Sequence, residues 1–217
     1  MVLGCKFLPV WLQVVASVLT NAAGLPMVVY LIVRAQSAWA WILVWTAITS
    51  GLYHCADTVQ AVLFGLSPGQ WHRLDNVFAI SAFQVLFTLL LFPRRMRVAR
   101  RDAWTWGLFC WTLVCQEAGP WDITFTILPL ATHLIAALVV CFVLTPAAAR
   151  PQFHPPTLRL GIALVLIAFF FFSRGLDEDN DWIRLNHGLW HVFISLAFYT
   201  LVLSRVDAPL PAATTLV

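Results

Sequence analysis

The sequence predicts an all-α membrane protein, a bundle of seven transmembrane helices. Of its 217 residues, 61% are hydrophobic and only 11% are charged, whereas soluble domains carry about 25% charged residues. The apolar residues fall into long runs, and about 20 consecutive apolar residues are enough for a helix to cross the bilayer. We therefore expect a single domain, residues 1–217, most of which lies within the membrane.

Seven apolar segments can be marked, separated by short polar or proline-containing stretches. The first is interpreted as a retained helix rather than a signal peptide, because its apolar run exceeds the 7–15 residues of a signal sequence. Pro68 and Gly69 are assigned to the loop before the third segment, and Pro93 closes that segment. The fourth segment is short and ends beside Glu117. The predicted helices cover residues 8–33, 38–57, 75–92, 103–118, 121–145, 158–174 and 184–204.

The arginines predict the orientation of this bundle. The stretch PRRMRVARR between the third and fourth segments contains five arginines, and such basic loops stay on the cytoplasmic side. Alternation from this loop also puts Arg34, Arg150, Arg159 and Arg205 inside, which makes nine of the chain's 13 basic residues. The N-terminus then lies outside or in the lumen, and the C-terminus lies in the cytoplasm.

This topology also indicates where the protein acts and on what. Because the basic residues follow the membrane topology, they do not indicate nucleic-acid binding. Membrane lipids are the expected partners, and we expect a multi-pass protein of the plasma membrane or a secretory-pathway membrane. The sequence leaves the oligomeric state open, with a homodimer as one option.

Polar residues from three predicted helices gather near the outer surface. His187 and His191 are four residues apart at the start of the seventh segment, so they share one helix face. His54 lies near the outer end of the second segment, with Ser50 one turn deeper, and Asp75 begins the third segment. Because ionisable groups within membrane helices are costly, such residues are candidates for function.

The three histidines predict a zinc site. Catalytic zinc centres usually have three protein ligands and a fourth position for water, whose pKa the metal lowers to about 7. We assign His54, His187 and His191 as the ligands. Asp75 would orient a ligand or accept a proton from the water, and Ser50 would hydrogen-bond beside it. The alternative for the His187–His191 pair alone is two polar residues that face water at a helix end.

The remaining polar groups have simpler interpretations. His133, inside the fifth segment, is predicted to form a helix-packing hydrogen bond, with metal binding as the alternative. His72 is predicted to be an exposed loop residue, and His154 is predicted to be a cytoplasmic loop residue. The stretch at residues 177–181 is predicted to be a solvated acidic loop that could shape access to the site.

These motifs resemble the signature of a known group. Ser50-x3-His54, Asp75 and His187-x3-His191 are similar to the CREST superfamily of seven-helix membrane proteins. The resemblance is nearest to the branch of myomaker and the post-GPI-attachment phospholipase, in YHCAD, in AGPWDITFTILPLATHLI and in NHGLWHVFISLAFYTLVL. It implies an outside N-terminus and a zinc ion held by the three histidines. It also implies cleavage of a lipid amide or ester, with a cavity among the helices that admits acyl chains.

Three functions are compatible with these observations. The first is a zinc-dependent lipid hydrolase of the phospholipase or ceramidase kind, working near the extracytoplasmic face. The second is a myomaker-like membrane-remodelling or cell-fusion protein in which zinc is structural. The third is a seven-helix receptor, which the arginines disfavour because receptors of this superfamily have their N-terminus inside.

Overall fold

The structure is a computed structural model that describes residues 10–93, 96, 98–177 and 181–206. Several residues used in the sequence argument therefore lie outside the described residues. They are the start of the first predicted helix, Lys6, Arg94, Arg95, Arg97, Glu178, Asp179 and the C-terminal stretch 207–217.

The described chain is built from helices. Five continuous helical segments, some made of more than one helix, are long and apolar enough to cross a membrane: Val10–Val33, Pro68–Leu91, Ile123–Leu144, Pro155–Gly175 and Leu185–Ser204. These confirm an all-α integral membrane protein. The helices are α1 (Val10–Leu19), α2 (Leu25–Val33), α3 (Ser37–Val59), α4 (Pro68–Leu91), α5 (Val98–Ala118), α6 (Ile123–Val139), α7 (Pro155–Gly175) and α8 (Leu185–Ser204).

Short irregular elements connect and extend these helices. A 3-10 turn, Thr20–Gly24, joins α1 to α2, and a π-helical turn, Val140–Leu144, extends α6. Two further 3-10 turns, Ala147–Ala149 and Trp182–Arg184, precede α7 and α8. Strands β1 (Gln152–Phe153) and β2 (Arg205–Val206) pair antiparallel, so the end of α8 is tied to the start of α7.

The start of α4 corrects the sequence prediction. This helix begins at Pro68 rather than at residue 75, so Pro68 and Gly69 belong to the helix and not to a loop. The reason is local: Ser67 and Gln70 form a capping box, and proline is favoured at the first helical position because its missing N–H would have no partner there. Helix α5 likewise begins at Val98, before the predicted residue 103.

Helix α5 is held in the bundle by polar contacts. The Gln84 side chain of α4 donates to the Thr112 hydroxyl at 2.9 Å. The Gln116 side chain donates to the Phe125 carbonyl at 3.1 Å, which is the carbonyl that Pro129, inside α6, leaves without its helical partner. These bonds explain why a helix less apolar than its neighbours packs against α4 and α6.

One apolar core brings the site-bearing helices together. Its buried side chains come from α2, α3, α4 and α8, and include Leu31, Trp39, Ile42, Val85 and Leu201. Burial of large apolar side chains against each other fixes the relative positions of these helices. Helices α3 and α8, which carry the three predicted zinc ligands, are therefore held by the same core.

Candidate metal centre

Three imidazole rings from two helices meet at one end of the bundle. His54 of α3 joins His187 and His191 of α8, and one ring nitrogen of each lies within 4.8 Å of the others. The Nε2 atoms of His54 and His187 are 3.0 Å apart. Ring centroids are separated by 4.5, 5.2 and 4.8 Å. The structure thus brings together the three histidines that the sequence predicted as ligands.

The closest pair of these nitrogens is spaced about as in a tetrahedral metal site. With Zn–N bonds of about 2.0–2.1 Å, two ligand nitrogens lie about 3.3 Å apart, close to the 3.0 Å between His54 and His187. His54 is fully buried, and its Nδ1 has no hydrogen-bond partner among the described residues. In a neutral imidazole one ring nitrogen is an N–H donor and the other is an acceptor. The acceptor nitrogens of the three rings could therefore bind one cation. Metal ligation itself stays a prediction.

The end of α1 and the turn that follows it orient His191. The Nδ1 atom of His191 lies 3.3 Å from the Thr20 hydroxyl, and the backbone of Ser17 lies near the same ring. Metal-binding histidines commonly donate their second ring N–H to such a group, which fixes the ring and its tautomer. The contacts leave Nε2 of His191 for the cluster.

Asp181 caps the helix that carries two of the histidines. Its carboxylate accepts hydrogen bonds from the Asn186 backbone at 2.7 Å, the Asn186 side chain at 2.9 Å and the His187 backbone at 3.0 Å. Only 3% of Asp181 is exposed, so the prediction of a solvated loop is wrong for this residue. A carboxylate at a helix start is stabilised because it pairs with N–H groups that have no helical partner.

An ion pair joins the two histidine-bearing helices. Arg184, just before α8, contacts the Asp57 carboxylate near the end of α3 at 2.7 Å, and both side chains are largely buried. Ile183 and Arg184 have positive φ angles of 51° and 55°, a conformation that costs energy for such residues and needs support from the surroundings. The ion pair and the Asp181 contacts supply that support.

Two glycines let α8 approach its neighbours closely. A Cβ on Gly175 of α7 would lie 3.0 Å from the His187 backbone nitrogen and 3.1 Å from its Cα. A Cβ on Gly188 would lie 3.0 Å from the Ala16 carbonyl oxygen of α1. The backbone around His187 is thus packed on both sides at a distance that excludes a methyl group.

Ser50 and Asp75 form a pair beside the histidines. Ser50 is buried one turn before His54, and its side chain lies close enough to the Asp75 carboxyl group to interact with it. Asp75 is half-buried and lies two turns inside α4, rather than at the start of the helix. It does not belong to the nitrogen cluster that the described residues form. The roles predicted for Ser50 and Asp75 stay predictions.

His72 differs from its prediction as an exposed loop residue. It lies on α4, is half-buried, and its Nδ1 has no hydrogen-bond partner within the described part of the chain. Its ring stacks on Trp121, with centroids 3.6 Å apart and planes inclined by 4°. Tyr53 packs against the same ring at 4.9 Å. His72 therefore belongs to an aromatic group adjoining His54.

The other two histidines lie away from this group. His133 is fully buried in α6, where its Nε2 lies 3.2 Å from the Thr88 hydroxyl. It is not part of the cluster of His54, His187 and His191. His154 is exposed immediately before α7. A buried hydrogen bond between α4 and α6 agrees with the helix-packing role predicted for His133.

We expect Asp181→Ala to weaken zinc binding roughly tenfold, because residues that only orient a metal ligand typically contribute 10- to 100-fold to affinity. Competition titration against a zinc chelator would measure the change. Asp122→Ala is the matched control, since Asp122 also caps a helix, accepting from the Thr124 backbone at 2.8 Å. Equal zinc affinity in both variants would contradict a positioning role for Asp181.

Comparison with known proteins adds a family but no activity. A family model described as "Protein of unknown function (DUF3522)" matches residues 9–192. The matched range includes the three histidines, Ser50 and Asp75. None of the curated proteins compared with the chain matches it.

Proposed function

The chain belongs to the DUF3522 family, whose function is unknown, and from the chemistry of its site we propose that it is a zinc-dependent lipid hydrolase. It would cleave an acyl amide or ester, as phospholipases and ceramidases do. The observation that carries the proposal is the convergence of three imidazole nitrogens within 4.8 Å. Three histidines leave a fourth position open, which distinguishes catalytic from structural zinc sites.

The residues of the site would have different roles in this reaction. His54, His187 and His191 would hold the ion, and zinc supplies a Lewis acid that polarises a carbonyl and acidifies water. Asp75 would accept a proton from the water that attacks the lipid carbonyl. Its interaction with the Ser50 side chain would help to orient the carboxyl group for that transfer. The resemblance to the CREST superfamily supports the same assignment.

We propose that α3 and α5 also cross the membrane, which gives seven spans with the N-terminus outside. They contain 23 and 21 residues, so at 1.5 Å per residue they are about 35 and 32 Å long, enough for the hydrocarbon core. Arg34, Arg100 and Arg101 lie at the end of the bundle opposite to His54. By the positive-inside rule, the histidines would then lie at the extracytoplasmic face.

The proposal is tested by metal content and lipid hydrolysis of the purified protein. We expect about one zinc per chain and release of fatty acid from at least one phospholipid or ceramide. Asp75→Asn should retain zinc but lower the hydrolysis rate by about 100-fold or more, the range for loss of a general base. Asp102→Asn, at the opposite end of the bundle, should leave both unchanged.

The other outcomes would change or overturn the proposal. Stoichiometric zinc without hydrolysis across a broad lipid panel would favour the structural-zinc alternative of a membrane-remodelling protein. Absence of zinc from protein prepared without chelators would contradict both. Full hydrolysis by Asp75→Asn would remove Asp75 from the mechanism while leaving the zinc site intact.

A further inference from the structure

A charged pocket lies at the end of α3 opposite to the histidines. It has a volume of about 280 Å³ and is formed by three parts of the chain. Arg34 and Gln36 come from the link between α2 and α3, Ser37 and Ala38 from the first turn of α3, and Arg101 and Asp102 from α5. Two guanidinium groups and one carboxylate give the pocket a net positive charge.

The two arginines are held in place by aromatic rings. The Arg34 guanidinium lies 5.3 Å from the centre of the Tyr30 ring, and that of Arg101 lies 5.4 Å from the Trp39 ring. Neither has a carboxylate within ion-pair distance among the described residues, and the enclosed Nε of Arg101 has no hydrogen-bond partner there. Arginine stacked on a ring still presents N–H groups, which suit a phosphate.

The start of α3 adds to this positive field. Among the described residues no side chain caps the helix there, so within that part of the chain the N–H groups of its first turn have no side-chain acceptor. The positive end of the helix dipole favours a bound anion at such a position. Together with Arg34 and Arg101, the helix start favours an anion as the ligand of this pocket.

An apolar groove continues from the charged pocket. Ala38 lines both cavities, and the second also has a volume of about 280 Å³. Its walls are Trp41 and Trp45 of α3, Phe78 of α4, and Trp106 and Phe109 of α5. The three tryptophans are 61%, 45% and 48% exposed, so the groove opens toward the surroundings of the bundle. Trp45 lies about 12 Å along the helix from Ser37.

We propose that the pocket and the groove together bind one anionic phospholipid. The phosphate would contact Arg34, Arg101 and the first turn of α3, and one acyl chain would lie against the tryptophans. The order of these parts, charged at the helix end and aromatic toward its middle, matches the order of head group and chain in a bilayer. A free phosphate would leave the groove unused.

This site is separate from the metal centre. Ser37 and His54 are 17 residues apart on α3, so at 1.5 Å per residue they are separated by about 25 Å, nearly the thickness of the hydrocarbon core. The lipid would thus bind in the opposite membrane leaflet to the proposed reaction. Its binding does not depend on zinc or on hydrolysis.

Native mass spectrometry in detergent tests the proposal, with phosphatidylglycerol and phosphatidylcholine of the same acyl chains as probes. We expect the Arg34→Gln/Arg101→Gln variant to bind phosphatidylglycerol on the order of tenfold more weakly, since each arginine near a lipid surface contributes severalfold. Arg100→Gln/Arg159→Gln removes the same charge from exposed positions outside the pocket, and should bind as the wild type does.

The other outcomes would overturn the proposal. Equal weakening in both double variants would indicate general charge attraction. Displacement of phosphatidylglycerol by millimolar inorganic phosphate would indicate a soluble anion instead of a lipid. A phosphatidylglycerol with a photoreactive acyl chain should cross-link to residues 41–45 or 106–109, and uniform labelling would exclude the groove. If the Arg34→Gln/Arg101→Gln variant does not fold, Arg34→Gln alone carries the test, because Arg34 is exposed.

Discussion

Replacing His54 by alanine is expected to weaken zinc binding strongly and to abolish lipid hydrolysis. His54 alone connects α3 to the cluster, while His187 and His191 both belong to α8. The two remaining histidines should bind zinc more than about 100-fold more weakly than all three. This loss is larger than the 10- to 100-fold loss expected when a residue that only orients a ligand is removed. Metal analysis of the purified protein and lipidomics of expressing cells would measure the two effects.

The matched control is His154→Ala. His154 is exposed before α7, so its removal takes away one imidazole without touching the cluster. We expect normal zinc content and normal lipid products in this variant. Full zinc occupancy in His54→Ala would show that His54 is not needed to bind the metal, and would remove the basis for the proposed enzyme.

Introducing a methyl group at Gly175 is expected to lower stability and zinc affinity, although Gly175 is not itself a metal ligand. In Gly175→Ala the new Cβ would lie 3.0 Å from the His187 nitrogen and 3.1 Å from its Cα. Both are backbone atoms, so the overlap is relieved only if α7 and α8 move apart. Overpacking of this kind typically costs about 1–3 kcal/mol. We expect a lower melting temperature and weaker zinc binding, measured by thermal unfolding and chelator competition.

Gly107→Ala is the control for this substitution. Gly107 lies in α5, and a Cβ there would meet nothing within 4 Å. Alanine favours a helix over glycine by up to about 1 kcal/mol, so this variant should be as stable as the wild type or slightly more so. If Gly175→Ala had wild-type stability and zinc affinity, the close approach of α7 to α8 would not position His187.

Much of the architecture could be predicted from the apolar runs. A helix in a bilayer satisfies its own backbone, so length and composition are enough to identify membrane-crossing segments. The error at α4 came from treating Pro68 as a helix breaker. Ser67 and Gln70 were the readable signal, because a capping box makes the following proline a helix start.

The histidines were also predictable, for a related reason. Ionisable side chains are expensive within a membrane, so a pair spaced by one helical turn near a third histidine stands out in an apolar chain. His72 was misassigned because its surroundings depend on Trp121, which is distant in sequence. Its ring contact with Trp121 had no signature in the local pattern.

The sequence by itself determined the class of protein, the helical segments and the residues that could bind a metal, since these follow from local composition and spacing. Only the tertiary structure decided what holds the site in place. Asp181, the Asp57–Arg184 ion pair and Gly175 act through contacts between α3, α7 and α8. A glycine or a carboxylate acquires such a role only when another backbone comes within a few ångströms, and that distance is set by packing.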